Sequence, residues 1–312
     1  MRSLVFNVLF YAYSLVMAGV LILLSAFGAG PNTARGMLRA HAKGVLFLTR
    51  TILSARLEIR GKERYAAQGG PQLIVSKHQS ELDPFMLFVD HPELAAIAME
   101  ELARYPLIGP VVRKLGYIQV SVEGAKLRQL RQVIEGSRAV AAEGRPILIY
   151  PEGELMRVGS RQRYKTGVFH IYEATGYAAT PVALSCGLVW PKREWTKHAG
   201  QTAVLEYLEP IPPGLDKERF MAEIERRIEE GSMALLREHA DPATLAIAEE
   251  RHAKGLTNED DVTVAELEAD AVAAAADPTG AGSATADAAQ TDPRDPAARA
   301  ESSVEDGARA RS

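Results

Sequence analysis

His78 and Asp83 stand five positions apart in the run Ser76-Lys77-His78-Gln79-Ser80-Glu81-Leu82-Asp83-Pro84-Phe85, directly after the apolar triplet Leu73-Ile74-Val75. An imidazole titrates near neutral pH and can take a proton from an alcohol, while a nearby carboxylate can hold it in the right tautomer. Five residues along a helix turn through roughly 500°, so the two side chains would not share a helical face. They converge only if His78 lies on a loop and a helix begins near Asp83, a start that Pro84 favours. Asp83 ahead of Pro84 is equally a good helix N-cap, a role that needs no chemistry.

A second acid follows a second apolar run, in Ile147-Leu148-Ile149-Tyr150-Pro151-Glu152-Gly153-Glu154. Downstream lie Tyr164-Lys165-Thr166-Gly167-Val168 and then Ala179-Thr180-Pro181-Val182-Ala183-Leu184. In this order, over roughly residues 70–215, the segments resemble the lysophosphatidate (1-acylglycerol-3-phosphate) acyltransferase family of bacterial type. That family reads His-x-x-x-x-Asp, then a Gly-x-Ile-x-Ile-Asp-Arg-like strand, then Pro-Glu-Gly-Thr-Arg, then a Val-Pro-Val-like strand.

The resemblance implies transfer of a fatty acyl chain from acyl-CoA or acyl-carrier protein to the free hydroxyl of a lysolipid, with no cofactor beyond that co-substrate. In that scheme His78 is the general base and Asp83 orients and stabilises the imidazolium. Lys77, Glu152, Gly153, Arg157 and Lys165 are the implied substrate-binding residues. Backbone amides around Gly153 are candidates for an anion, because glycine lets the chain approach closely. Glu152 matches the family's motif acid and reads equally as a carboxylate that fixes the turn.

The chain departs from the family where a phosphate would be gripped. Val122, in Gly116-Tyr117-Ile118-Gln119-Val120-Ser121-Val122, stands where an arginine is expected. Glu154 and Leu155 replace Thr and Arg, and Glu100 takes the place of a lysine. Arginine forks and lysine point charges are what bind phosphate. Lys77, Arg157, Arg161, Arg163 and Lys165 could restore positive charge. Otherwise the acceptor is a lysolipid without a phosphate monoester, such as a lyso-aminolipid. A hydrolase is a rival reading, but no Gly-x-Ser-x-Gly elbow surrounds Ser80. A non-catalytic membrane lipid-binding protein is the other, and the intact His78/Asp83 pair speaks against it.

Stepwise apolar runs at 73–75, 95–98, 118–120, 147–150, 180–184 and 203–207 alternate with helical patterns such as Leu127, Leu130 and Ile134 on one face. The expected fold is α/β, a central mixed sheet flanked by helices and preceded by N-terminal membrane-associated helices. Residues 216–255 read as one or two amphipathic helices, broken near Asp241-Pro242. The expected domains are 1–65, N-terminal membrane-associated helices; 66–257, the α/β acyltransferase domain with its C-terminal helices; and 258–312, an acidic, Ala-rich, disordered tail.

Residues 4–27 carry no charge, and about 24 residues of helix span roughly 36 Å, enough for a bilayer core. A cleaved signal peptide has less behind it, with only Arg2 in front and a run long for an h-region. The basic residues that follow, from Arg35 to Arg64, argue for a body on the cytoplasmic side of the inner membrane. Leu38, Val45, Leu46, Leu48, Ile52 and Leu53 give this second segment a greasy face suited to the headgroup region or to packing on the domain. The tail holds 13 acidic residues against 4 arginines, so it carries −9 and residues 1–257 carry +5. A basic body suits an anionic membrane surface, which would repel the tail. The single cysteine, Cys186, in an apolar run, fits a reducing compartment and a buried structural role. No His/Cys cluster has metal-ligand spacing and no glycine-rich nucleotide fingerprint follows a strand. The expected partners are membrane lipids, the lysolipid acceptor and the thioester donor, with no metal and no nucleic acid.

Overall fold

The computed structural model describes residues 1–104, 109–121 and 126–257. Val122 and the acidic tail 258–312 lie outside the described residues. Each central strand is short and mostly apolar, which is what a strand covered on both faces requires. β2 (Leu73–Ser76) and β5 (Ile147–Ile149) are buried throughout. With side chains alternating across the pleat, Ile74 and Leu148 enter one core while Leu73, Val75, Ile147 and Ile149 enter the other.

The remaining strands are β1 (Arg56–Arg60), β3 (Ala95–Met99), β4 (Ile118–Val120), β6 (Ala179–Leu184) and β7 (Thr202–Tyr207). They form one mixed seven-stranded sheet in the order β1-β7-β6-β2-β5-β3-β4, in which β6 and β7 pair antiparallel and every other neighbour pair is parallel. The helices are α1 (Arg2–Ala26), α2 (Pro31–Ile52), α3 (Lys62–Ala66), α4 (Asp83–Asp90), α5 (Gly109–Leu115), α6 (Lys126–Ala142), α7 (Gly167–Thr175), α8 (Lys217–His239) and α9 (Pro242–Lys254). α1, α2 and α4 contribute Phe6, Val45, Leu46, Met86 and Leu87 to the first core. α6, α7 and α8 contribute Val133, Phe169, Tyr172, Phe220 and Ile224 to the second.

β2, β5 and β6 run parallel and in register, so Val75 lies beside both Ile149 and Pro181. The loops leaving these three strands therefore meet at one edge, the edge where open α/β sheets bind ligands.

One expectation needs correction here. Residues 1–65, read as membrane-associated helices alone, contain β1, an edge strand paired with β7, so the sheet begins inside them. Three cations at the end of this stretch form ion pairs within the domain. Arg60 pairs with Glu58 and Glu238, Lys62 with Asp90, and Arg64 with Glu206. The pattern Arg-Leu-Glu-Ile-Arg is a period-two alternation too short to stand out in a charged segment.

α1 is long and apolar enough to cross a membrane, and its first turns are also tied to the domain. Phe6 is fully buried, edge-on to Trp190, and Asn7 Nδ2 donates to the Trp195 carbonyl at 2.8 Å. Leu4, Val8, Tyr11, Leu15, Val16, Val20 and Leu23 stay exposed along its other sides. α2 folds back on α1, with Tyr13 donating to the Ala40 carbonyl and Ser14 Oγ 3.0 Å from His41 Nε2.

Candidate active site

His78 lies on the loop after β2, and α4 begins at Asp83. The Asp83 carboxylate does not cap α4 in the expected way. It turns back into the loop, where Oδ2 accepts from Gln79 N at 2.7 Å and Ser80 N at 2.9 Å and stands 3.1 Å from His78 Nδ1. An ionised carboxylate only accepts, so Nδ1 carries the proton and Nε2 is left as the basic nitrogen. Nε2 has no partner among the described residues, and the His78 side chain is 20% exposed while Asp83 is fully buried. A proton acceptor thus faces outward, with its orienting charge held behind it.

The imidazole lies flat on Tyr150, ring centroids 3.8 Å apart and 14° from parallel. Burial, reinforced by the Asp83 charge, pushes the Tyr150 phenol well up, so it stays neutral. Cys186, just past β6, behaves in the same way, because burial first and then Asp83 raise its thiol. A thiol held neutral is a poor nucleophile.

Behind the histidine lies a buried ionic cluster. Glu152 Oε2 accepts from the His78 backbone N at 3.0 Å, and its Oε1 accepts from Lys77 Nζ at 2.8 Å. The same ammonium reaches Glu229 of α8 at 2.7 and 2.9 Å and the Ser160 carbonyl at 3.1 Å. Tyr164 donates to Glu229 Oε1 at 2.9 Å. Two carboxylates around one ammonium leave an excess negative charge in a dry site. Burial accordingly pushes the Glu152 carboxyl up to about 7, against the pull of Lys77. Lys77 is raised in turn by the two carboxylates, which outweigh its own burial.

This placement counts against two expectations. All three donors of Lys77 are taken up inside the protein, so none is left for an acceptor phosphate. Glu152 is fully buried and holds the turn and the His78 backbone, so of its two readings the geometry favours the turn-fixing one. Gly153 corrects a third. Its N–H donates to the Tyr150 carbonyl at 3.0 Å, which removes it as an oxyanion donor. Its φ of +78° closes this tight turn, and Lys165 Nζ lies over it, 2.1 Å from where a Cβ would sit.

Lys165 is exposed and has no ion-pair partner among the described residues. Arg157 lies elsewhere, lining a cleft of about 570 Å³ that contains neither His78 nor Asp83. Glu154 is exposed and pairs with Lys192 at 3.3 Å. Glu100 follows β3 at the start of a short 3₁₀ turn, Glu100–Arg104.

A family model described as Acyltransferase matches residues 56–185, from β1 through the loop after β6. Over those residues this chain is similar to the acyltransferase family. The 1-acyl-sn-glycerol-3-phosphate acyltransferase of Pseudomonas aeruginosa is 29% identical to it over 199 residues, 62% of this chain and 74% of the relative. That of Chlamydomonas reinhardtii is 24% identical over 167 residues, 53% of this chain and 49% of the relative. The crystal structure of the 1-acyl-sn-glycerophosphate (LPA) acyltransferase PlsC from Thermotoga maritima shares the acyltransferase fold with a TM-score of 0.61 at 23% identity, covering 75% of this chain and 98% of that one.

Sequence reasoning passed over Tyr150 as a stacking partner and Glu229 as an ionic one. Tyr150 was visible beside the Pro-Glu-Gly turn, but nothing local says that its ring meets an imidazole. Glu229 did carry a signal. It stands three and four residues before Ser232 and Met233 on the buried stripe of α8, where a carboxylate needs a partner.

Proposed function

We propose that this acyltransferase moves a fatty acyl chain from a thioester, acyl-CoA or acyl-carrier protein, to the free hydroxyl of 1-acylglycerol-3-phosphate, giving phosphatidic acid. The observation that carries the reading is His78, with Nδ1 held by buried Asp83 and Nε2 open to solvent at the carboxyl edge of the sheet. The curated relatives named for this reaction support the choice of acceptor.

In this scheme Nε2 takes the proton as the acceptor oxygen attacks the thioester carbonyl. The C–O bond forms, the tetrahedral intermediate collapses with loss of the C–S bond, and the imidazolium returns its proton to the departing thiolate. Asp83 stabilises that imidazolium while Tyr150 fixes the plane of the ring. No acyl-enzyme is needed, because the thioester is already activated. Lys165, exposed beside the Gly153 turn, is the cation assigned to the acceptor phosphate. The catalytic domain works on the cytoplasmic face of the inner membrane, anchored through α1 and α2.

Thiol release from acyl-CoA, measured with lysophosphatidic acid, a lyso-aminolipid and no acceptor, tests the reading. Release that requires lysophosphatidic acid is expected. Release without acceptor would mean a thioesterase, release only with the lyso-aminolipid a changed acceptor, and no release with any of them a lipid binder.

A further inference from the structure

The 570 Å³ cleft is lined by Arg157, Lys192, Arg193, Arg251, Glu194 and Asp241 among its charged groups, four cations against two carboxylates. Its volume is that of a ligand site, for which about 300–1,000 Å³ is usual. One of the carboxylates is already engaged: Asp241 caps α9, accepting from Ala243 N, Thr244 N and Thr244 Oγ1. The other, Glu194, is exposed. Lys192, its side chain 10% exposed, pairs with the more exposed Glu154 at 3.3 Å. Arg193 is exposed, has no ion-pair partner among the described residues, and holds a φ of +53°. A left-handed arginine is uncommon, and such strain gathers at ligand sites.

The cleft lies against the catalytic loop without being part of it. Its wall includes Val158 and Gly187, and a Cβ added to Gly187 would meet Val158 at 2.6 Å and Gln79, the residue after His78, at 3.4 Å. The Met156 amide also donates to the His78 carbonyl at 2.6 Å, which holds this wall to the loop. An acceptor phosphate sits two carbons from the reacting hydroxyl and must bind beside His78, whereas this cleft contains neither His78, Asp83 nor Tyr150. A CoA thioester is built the other way. Its phosphates lie at the far end of a long, flexible pantetheine arm, remote from the carbonyl that reacts.

We infer that the cleft beside Arg193 and Lys192 binds the phosphate-bearing nucleotide end of a CoA thioester donor. The inference rests on the acyl-transfer reading for the donor but not for the acceptor. Guanidinium forks suit the phosphates, the lysine adds a point charge, and the pantetheine arm runs along the 156–158 wall towards His78.

The test compares wild type with Lys192→Ala/Arg193→Ala in the full-length, detergent-solubilised protein. The readouts are steady-state kinetics with palmitoyl-CoA and with S-palmitoyl-pantetheine, and direct binding of adenosine 3′,5′-bisphosphate. A charged hydrogen bond contributes enough that its loss costs about tenfold or more in binding. The expected result is a KM for palmitoyl-CoA raised about tenfold or more at nearly constant kcat. The KM values for the pantetheine thioester and for lysophosphatidic acid should be unchanged, and binding of the bisphosphate should weaken in parallel. Equal effects on both thioesters, a change in KM for lysophosphatidic acid instead, no change at all, or activity confined to acyl-carrier protein would each overturn the inference. So would inorganic phosphate binding as tightly as the bisphosphate. Bisphosphate binding needs no turnover, so failure of the acceptor reading leaves this site separately decided.

Discussion

Lys77→Met should reveal how much the buried cluster contributes to holding the catalytic loop. The ammonium lies between Glu152 and Glu229, with side-chain exposures of 2%, 0% and 7%, and bonds to both carboxylates, while His252 Nδ1 stands 3.9 Å from Glu229. Removing one partner of a buried pair costs about 3–5 kcal/mol, because the remaining charge has no solvent to turn to. For a domain of this size about 1 kcal/mol corresponds to 2–4 °C, so the melting temperature should fall by roughly 6–20 °C. The loss should depend on pH. In wild type the Glu152 carboxyl is already raised to about 7, chiefly by burial. A carboxyl raised in the folded state favours folding below its unfolded value, and that advantage disappears as pH climbs through the folded value. Without Lys77 the Glu152 carboxyl rises further, because the ammonium that pulls it down is gone. The deficit relative to wild type should therefore be smallest near pH 5.5 and grow as pH passes 7. Thermal unfolding of the detergent-solubilised protein at several pH values measures it. Lys77→Met/Glu229→Gln, which removes one charge of each sign, should recover part of the loss. A deficit below about 1 kcal/mol, or one equal at pH 5.5 and pH 8, would refute the account of a cluster with one excess negative charge.

Four further outcomes follow from the same geometry. His78→Ala should lower turnover by about 10²–10⁴-fold while leaving the melting temperature near wild type, and a well-folded variant with normal rates would sink the mechanism. Asp83→Asn can keep its oxygen on the Gln79 and Ser80 amides, so it should fold yet lose activity with the lost negative charge; retained activity would show that Asp83 serves only the loop. Gly153→Ala must hold a φ of +78° and displace Lys165 Nζ, so chemical denaturation should show a loss of at least about 1–2 kcal/mol. Phe6→Ala should cost about 3–5 kcal/mol because that ring is fully buried against Trp190, whereas Leu15→Ala, on the exposed face of α1, should leave the domain's unfolding unchanged.

The amino-acid sequence by itself determined the class of fold and the dyad. Apolar triplets such as Ile147-Leu148-Ile149 read as strands buried on both faces, and His78 beside a strand end with Asp83-Pro84 ahead reads as a loop running into a helix. Both are local facts, set by side-chain period and proline geometry. Tertiary structure decided what each group near the dyad does. Lys77 reads as a free cation until Glu229, 152 residues away along the chain, closes on it. Gly153 reads as an anion-binding turn until its amide is found on Tyr150. Arg60 and Arg64 read only as part of a basic stretch until β1 pairs with β7 and Arg64 meets Glu206. The reason is the same in each case. Charges and hydrogen-bond donors are defined by their partners, and partners distant in sequence become neighbours only when the sheet and α8 pack. Local pattern can place a cation or an amide on the chain, but it cannot say whether that group is still available to a substrate.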